Sequence, residues 1–278
     1  PVSIDKQNVI RMNRDTLYSV GIFDLAEPVT IVKPAPDGRY QSMMVLDQDQ
    51  YVVSIEYEGG EFTLTQDEVG TRYACVIIRT FIDADDPADI KAANALQDEL
   101  AVKQSSMGTF DVPDWDPASL KKVRDAVNAL ASTRGSARGM FGKKGEVNQL
   151  NHLLGTAYGW GGLPDSAAVY ANFVPPQNDG KKSYALNVKD VPVNGFWSVT
   201  VYGKDGFMVE NDQNAYSYNN VTAKKDANGS ITINFGGGEG AVNNLPITPG
   251  WNYIGRMYQP GQQMIDGTWK FPQAKPTF

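Results

Sequence analysis

Between residues 20 and 82 the sequence alternates between short runs rich in β-branched and aromatic residues and stretches rich in Gly, Pro and acidic residues. The runs read VTIVKP, YQSMMVLD, YVVSIEY, EFTLT and YACVIIRTFI, and they are separated by APDGR, EYEGGE and TQDEVGT. β-branched and aromatic side chains favour strands, whereas Gly, Pro and Asp favour the turns that join them. The composition and spacing of this region therefore predict an antiparallel β domain.

Strand-like runs return after residue 166 and continue to the end of the chain. They read AAVYANFV, SYALNV, GFWSVTVYG, AYSYNN, SITINF and WNYIGRMYQ, with turns supplied by GKDG, DANG and the glycine cluster 236–240. No sequence motif recurs at a fixed period, which argues against a solenoid or a propeller.

The intervening residues 83–160 have helical character. Asp86-Pro87 and Asp116-Pro117 each place an N-cap residue before a Pro at the first helical position. Apolar residues then recur at helical spacing, and a third helix is expected from about Glu146 to Tyr158. The three predicted apolar stripes are Ile90, Ala93, Leu96 and Leu100; Leu120, Val123, Val127 and Leu130; and Val147, Leu150, Leu154 and Ala157. We expect these stripes to be buried, on the flanking sheets.

The fold class expected from this pattern is mainly β with an α insert. The expected domains are an N-terminal β domain over 1–82, a helical insert over 83–160 and a C-terminal β domain over 161–278.

Charge and composition exclude several classes of protein. The net charge of −7 argues against binding to a phosphate backbone, which requires a basic face. No stretch approaches the roughly 20 apolar residues of a membrane-spanning helix. The single Cys75 lies in an apolar strand-like run, so a buried thiol is expected, and one Cys with one His excludes a zinc site of Cys/His type within one chain. We therefore expect no metal and no cofactor.

The segment RMNRDTLYSV, residues 11–20, carries many polar groups just before an apolar run. In an extended chain Arg14, Thr16 and Tyr18 share one face, and Asp15 points to the other. Our hypothesis is that Arg14 and Tyr18 face a cavity while Asp15 holds the turn. The alternative is that Arg14 pairs with a buried acid such as Asp24 or Asp47.

Other candidate site residues lie further along the chain. His152 falls opposite the apolar stripe of the third helix, so we expect it to face water or a cavity and not to pack in the core. Tyr158 and Trp160 stand between glycines in an aromatic loop that suits stacking on a ligand ring. Ser198 and Tyr202 share the mixed face of the run FWSVTVY and could line a cleft.

Two parts of the chain carry a resemblance to a known family. The segment NRDTLYSVGIFDL, followed by a Pro and then DGRYQSMMVLD, resembles the opening of bacterial proteins built from paired domains of unknown function 1254 and 1214. The stretch GFWSVTVYGKDGFMVEN and the ending RMYQP with DGTWKFP are similar to the second of these domains. The resemblance implies two jelly-roll-like β domains with helices attached, and it implies no reaction.

The function expected from these observations is binding of a small aromatic or hydroxylated organic ligand in a cleft between the β domains. One alternative is an enzyme, a hydrolase or a cofactor-independent oxygenase, that uses Arg14, Asp15, Tyr18 and His152; Asp15, Tyr18 and His152 are its catalytic candidates. The other is a structural or envelope protein without a small-molecule site. Self-association into a homo-oligomer is left open. The chain begins at Pro1 without Met, and a periplasmic or secreted location is expected ahead of a cytoplasmic one.

Overall fold

The computed structural model describes residues 3–7, 10–238 and 240–277. The chain divides into two compact units, and strands outnumber helices in both. The N-terminal unit spans Thr16–Asp165, and the C-terminal unit combines Ser166–Phe278 with Pro1–Asp15. The fold is therefore mainly β, as the sequence predicts, whereas the expected limits of the domains stay a prediction.

The N-terminal unit contains two sheets and four helices. Its strands are β1 Thr16–Asp24, β2 Val29–Lys33, β3 Gln41–Leu46, β4 Val52–Glu56, β5 Gly60–Leu64, β6 Tyr73–Phe81 and β7 Ala101–Gln104. Its helices are α1 Gln66–Val69, α2 Pro87–Asp98, α3 Pro117–Ala131 and α4 Gln149–Tyr158. One antiparallel sheet has the order β1-β6-β3-β4 and the other has the order β5-β2-β7. The side chains between them, among them Val29, Met43, Val76 and Ile78, form an apolar core.

The C-terminal unit repeats this arrangement. Its elements are β8 Ala168–Phe173, β9 Tyr184–Val188, β10 Trp197–Tyr202, β11 Ser217–Asn219, β12 Ile231–Phe235, β13 Asn244–Leu245, β14 Asn252–Tyr258, α5 Gln262–Ile265 and β15 Lys275–Pro276. The sheets have the orders β11-β10-β14-β8 and β13-β12-β9-β15, and the largest apolar core of the unit lies between them.

Strand for strand, β1 to β5 correspond to β8 to β12, β6 corresponds to β14, and β7 to β15. All these pairings are antiparallel in both units, and among the strands that the structure describes only the short β12–β13 pair is parallel. The sequence analysis missed this repeat because its members are spaced irregularly along the chain. The jelly-roll detail stays a prediction.

Two helix starts agree with the sequence analysis. The Asp86 carboxylate accepts a hydrogen bond from the Ala88 N–H, and the Asp116 carboxylate accepts from Ala118 and Ser119. Both helices place Pro at the first turn. The strand β7, in contrast, was not predicted, because its four residues follow α2 with almost no turn signal.

The expected burial of the α3 stripe is wrong. Leu120, Val123 and Leu130 are 56%, 59% and 53% exposed, and Val127 is half-buried. The stripe of α4 is also partly wrong, because Leu150 is 56% exposed whereas Leu154 is buried. Helical periodicity identified an apolar face in each case, but it could not say whether the rest of the unit covers that face.

Cys75 is buried in the central strand β6, as the sequence predicts. Burial raises the pKa of its thiol above the ordinary value. Among the residues that the structure describes, no helix is both long and apolar enough to cross a membrane.

Candidate functional site

A polar row crosses the outer face of the four-stranded sheet in the N-terminal unit. Tyr18 of β1 lies opposite Arg79 of β6, and Arg79 lies opposite Ser42 of β3. Residues paired in this way share one face of a sheet. Arg79 and Ser42 are buried, whereas Tyr18 is 42% exposed. We call these three residues the Arg79 row.

The hydrogen bonds of the Arg79 row do not include the buried Ser42 hydroxyl. The Arg79 guanidinium lies 5.4 Å from the centre of the Tyr18 ring and donates to the carbonyl oxygen of Gly161 at 2.8 Å. The Ser42 hydroxyl is completely buried and has no hydrogen-bond partner among the described residues. A buried hydroxyl that makes no hydrogen bond is energetically costly, which sets Ser42 apart from the other polar groups of the row.

The field of Arg79 extends across the row. Burial raises the pKa of Tyr57 above its ordinary value, and the positive charge of Arg79 opposes that rise. Tyr57 immediately follows β4, the strand beyond Ser42. Together with Tyr57, the row therefore offers a cation, a hydroxyl and two phenols, a combination that suits an anionic oxygen.

The C-terminal unit carries the same row at the corresponding strands. Tyr170 of β8 lies opposite Arg256 of β14, and Arg256 lies opposite Ser198 of β10. Like Ser42, Ser198 is fully buried, and its hydroxyl has no hydrogen-bond partner within the described part of the chain.

Arg256 is fully engaged by protein groups. Its guanidinium donates to the Thr200 hydroxyl at 3.0 Å, to the Tyr202 hydroxyl at 2.6 Å and to the Arg11 carbonyl at 2.8 Å. Burial acts to lower the pKa of Arg256, but Tyr202 and Tyr258 outweigh it and the pKa is raised above its ordinary value. Burial also raises the pKa of Tyr202. Arg256 is thus a permanent buried cation within a hydrogen-bonded network.

The segment RMNRD forms the cover of this network. The Met12 carbonyl accepts from the Tyr202 hydroxyl at 2.7 Å, and the Asn13 amide donates to the Tyr258 hydroxyl at 2.9 Å. Asp15 accepts from the Asn219 amide at 3.1 Å, while its second carboxylate oxygen has no hydrogen-bond partner among the described residues.

The expectation that Asp15 holds the turn is wrong. The Asn13 side-chain oxygen accepts from the Asp15 N–H at 2.6 Å, so Asn13 closes the turn. Arg14 is also buried, and its guanidinium lies 4.9 Å from the centre of the Tyr216 ring. The extended alternation assumed for these residues begins only with Thr16, the first residue of β1.

The prediction that His152 avoids the packed interior is also wrong. His152 is buried, its ring stacks on Tyr51 at 3.8 Å, and its Nε2 lies 2.7 Å from the Asp49 carbonyl oxygen. Because a carbonyl only accepts, Nε2 carries the proton in this contact. His152 faces the β3–β4 turn and not solvent because the side of α4 that is turned inward carries His152 and Leu154, whereas Leu150 is exposed.

The remaining predicted residues lie in different settings. Tyr158 is half-buried and packs against the small apolar cluster of Met140 and Leu154. Trp160, one residue before Gly161, is 53% exposed. Of the predicted site residues, Arg14, Asp15, Ser198 and Tyr202 belong to the C-terminal unit, and Tyr18, His152, Tyr158 and Trp160 belong to the N-terminal unit.

The sequence analysis missed both central arginines. Arg79 stands in IIRTF, residues 77–81, and Arg256 in IGRMY, residues 254–258. These two segments share the pattern Ile-x-Arg-x-aromatic in the middle of apolar strands. A charge placed there twice, in runs otherwise built for a core, was the signal that could have identified both rows.

Comparison with known proteins gives the chain a family. The profile described as "Protein of unknown function (DUF1254)" matches residues 1–104, and "Protein of unknown function (DUF1214)" matches residues 175–262. The chain belongs to the DUF1254/DUF1214 paired-domain family. The two profiles cover β1 to β7 and β9 to β14, so each profile falls on the strands of one copy of the repeated fold. No curated protein is significantly similar to the chain.

Two solved structures have the fold of this DUF1254/DUF1214 protein. The VPA0106 protein from Vibrio parahaemolyticus is 22% identical, with a TM-score of 0.77 over 96% of this chain and 90% of its own. An uncharacterized protein from Burkholderia cenocepacia is 14% identical, with a TM-score of 0.59 over 96% of this chain and 77% of its own. At these identities the likeness shows the fold alone.

Proposed function

We propose that this protein binds a small aromatic carboxylate at the Arg79 row of its N-terminal unit. The observation that carries the proposal is the buried Ser42 hydroxyl, which lies opposite Arg79 and has no hydrogen-bond partner among the described residues. In the bound state one carboxylate oxygen accepts from Ser42 and the guanidinium donates to the carboxylate. Arg presents a planar fork of N–H donors that matches a carboxylate, and hydrogen bonds to charged groups are the stronger ones.

The apolar part of the ligand is matched by the edge strand β1. Tyr18, Val20 and Ile22 alternate on the outer face and are 42%, 57% and 53% exposed. At about 3.3 Å per residue, these side chains span roughly 13 Å, enough for one aromatic ring with a substituent. Exposed Trp160, next to the Gly161 that accepts from Arg79, adds a second aromatic surface.

Two contacts favour binding over the enzyme alternative. The Nε2 proton of His152 is used by the Asp49 carbonyl, and its ring is held by stacking on Tyr51. A general base uses its unprotonated nitrogen, which in His152 is Nδ1, and that atom is buried away from solvent, where a substrate proton is out of reach.

The proposal is tested by calorimetric titration with benzoate, 4-hydroxybenzoate and the uncharged benzamide. We expect the two acids to bind at least about tenfold more tightly than benzamide, because only they accept charge-assisted hydrogen bonds. Octanoate, titrated in parallel, separates recognition of a ring from recognition of any apolar acid. Equal affinity for benzoate and benzamide would overturn the proposal.

Matched variants locate the site. Ser42→Ala should weaken benzoate binding about tenfold, since a hydrogen bond to a charged group contributes about 1.5–3 kcal/mol. Tyr18→Ala should weaken it as well, by removing the exposed ring. The control is Tyr170→Ala, which changes the corresponding position opposite Arg256 and should leave binding unchanged. Loss of binding in the control alone would place the ligand elsewhere.

A further inference from the structure

The helices α3 and α4 present an apolar face to solvent. Leu120, Val123 and Leu130 of α3 are each more than half exposed, as are Leu150 and Leu153 of α4. We call these five side chains the α3/α4 face. On α3 the apolar residues 120, 123, 127 and 130 follow the 3-4-3 spacing of a helix–helix seam. A helix in a globular unit normally turns such a seam toward a partner.

The segment before α3 extends this apolar surface. Met107 is 90% exposed, Phe110 62%, Val112 51% and Trp115 66%. Its backbone is held in place, because the Tyr73 hydroxyl accepts from the Asp111 N–H at 2.8 Å. The segment is therefore anchored with its apolar side chains outward.

The segment before α3 and the helix α4 attach to the same end of the sheet. Gln48, in the turn between β3 and β4, accepts from the Tyr73 N–H, and Asp49 of the same turn accepts from His152 of α4. The segment and α4 are thus both anchored at this end of the N-terminal unit.

The size of this region points to a protein partner. Its nine large apolar side chains are each more than half exposed, so together they exceed the roughly 300–600 Å² of the largest apolar patch on a typical monomer. One partner of a stable interface contributes about 800 Å². The region is therefore large enough to form one half of a stable dimer.

The charges around the region are complementary to one another. Trp115 is flanked by Asp114 and Asp116 and by Asp111, which lies 3.5 Å from Arg72, whereas the first turns of α3 carry Lys122, Arg124 and Lys121, which pairs with Asp125 at 2.6 Å. In a twofold dimer any residue pair occurs twice with the roles exchanged, so an acidic segment meets a basic helix at both ends. An anionic membrane would instead be repelled by the aspartates beside Trp115.

We propose that the protein forms a twofold-symmetric homodimer through the α3/α4 face and the segment 107–115. The leucines and valines of two copies pack between the helices, and Trp115 is buried near the edge of the interface. This proposal does not depend on ligand binding at the Arg79 row.

The test is sedimentation velocity on the full chain from about 1 to 100 µM, with two variants. The wild type should sediment at twice its 30.4 kDa mass. Leu120→Glu and Leu153→Glu should each raise the dimer dissociation constant by about 30-fold or more, since interface centres concentrate the binding energy. Glu favours helices, so both variants should keep their secondary structure. The control is Val221→Glu, at an equally exposed valine of the C-terminal unit, which should remain dimeric.

A spectroscopic readout makes the test independent of variant folding. The wild-type tryptophan emission should shift to the blue as concentration rises, and Trp115→Phe should remove most of that shift. A wild type that is monomeric at 100 µM would overturn the proposal. It would also fail if the dimer survived both Glu variants, or if a monomer bound phosphatidylglycerol vesicles through Leu120.

Discussion

Each unit places an arginine at the corresponding position of its own four-stranded sheet, yet the side chains beside the two arginines differ in polarity. In the N-terminal unit the neighbouring strand continues from Ser42 with Met44 and Leu46 on the same face. In the C-terminal unit the corresponding residues are Thr200 and Tyr202.

This difference decides the surroundings of each arginine. Thr200 and Tyr202 accept hydrogen bonds from Arg256 and close it into a network, whereas the corresponding Met44 and Leu46, which lie opposite Ile77 and Cys75, have no hydroxyl that could accept from Arg79. The same fold therefore supports two different roles for a buried arginine. In the polar surroundings of the C-terminal unit, Arg256 holds the segment RMNRD in place. In the apolar surroundings of the N-terminal unit, Arg79 lies at the end of a row of apolar side chains.

The covers of the two sheets also correspond. Each arginine donates at 2.8 Å to a backbone carbonyl of a residue in the left-handed conformation, Gly161 with φ of 70° and Arg11 with φ of 55°. Glycine adopts this conformation without strain, whereas a residue with a side chain adopts it at a cost. The following four predictions use this correspondence.

The largest expected effect is the loss of Arg256. Arg256→Met should reduce the free energy of unfolding by about 3–5 kcal/mol, because it removes three buried charge-assisted hydrogen bonds, to the Thr200 and Tyr202 hydroxyls and to the Arg11 carbonyl. Arg79→Met should cost less, since Met44 and Leu46 accommodate an apolar side chain. Urea unfolding of both variants measures the difference. Equal losses would mean that the two arginines serve the same structural purpose.

The next effect concerns Gly161. Gly161→Ala should reduce the free energy of unfolding by about 2 kcal/mol. The alanine would have to adopt a left-handed backbone conformation, and its Cβ would lie 2.9 Å from the Ile77 Cδ1. Gly38→Ala is the control for backbone strain alone, since its φ is 94° and nothing lies within 4 Å of the added atom. Thermal unfolding should therefore place Gly38→Ala between Gly161→Ala and the wild type. If the two variants cost the same, the close approach to Ile77 contributes nothing.

A smaller effect is expected at Arg11, where glycine should be the more stable residue and not alanine. Arg11→Gly should be more stable than Arg11→Ala by about 1 kcal/mol, because both variants lose the side chain and only Ala retains the strained backbone. The Arg11 carbonyl remains available to Arg256 in both. Chemical denaturation of the pair measures the strain. An Ala variant at least as stable as the Gly variant would show that this backbone is not strained.

The smallest effects are expected at the two buried serines. Ser42→Ala and Ser198→Ala should each change the free energy of unfolding by less than about 1 kcal/mol, since no hydrogen bond to a described residue is lost. The comparison becomes sharper when benzoate is present. Saturating benzoate should raise the melting temperature of Ser198→Ala as it does that of the wild type, and should raise that of Ser42→Ala less. The same response in both serine variants would remove the distinction between the rows.

Much of the local structure follows from the sequence. The runs of β-branched and aromatic residues mark most of the strands, and Asp86-Pro87 and Asp116-Pro117 mark two helix starts. These signals are local, because a strand or a cap depends on the preferences of a few neighbouring residues. The paired-domain family was likewise identified from short motifs near the two ends of the chain.

The composition of each polar row needed the tertiary structure. Arg256 meets the Arg11 carbonyl across 245 positions of sequence, and Arg79 meets that of Gly161 across 82. No period in the sequence encodes such contacts, since they depend on which strands pair and which segment covers the sheet. For the same reason the sequence located apolar faces on α3 and α4 and did not show that Leu120 and Leu150 are exposed and His152 is buried. Periodicity determines that a helix has two sides, and only the packing of distant residues determines which side meets water.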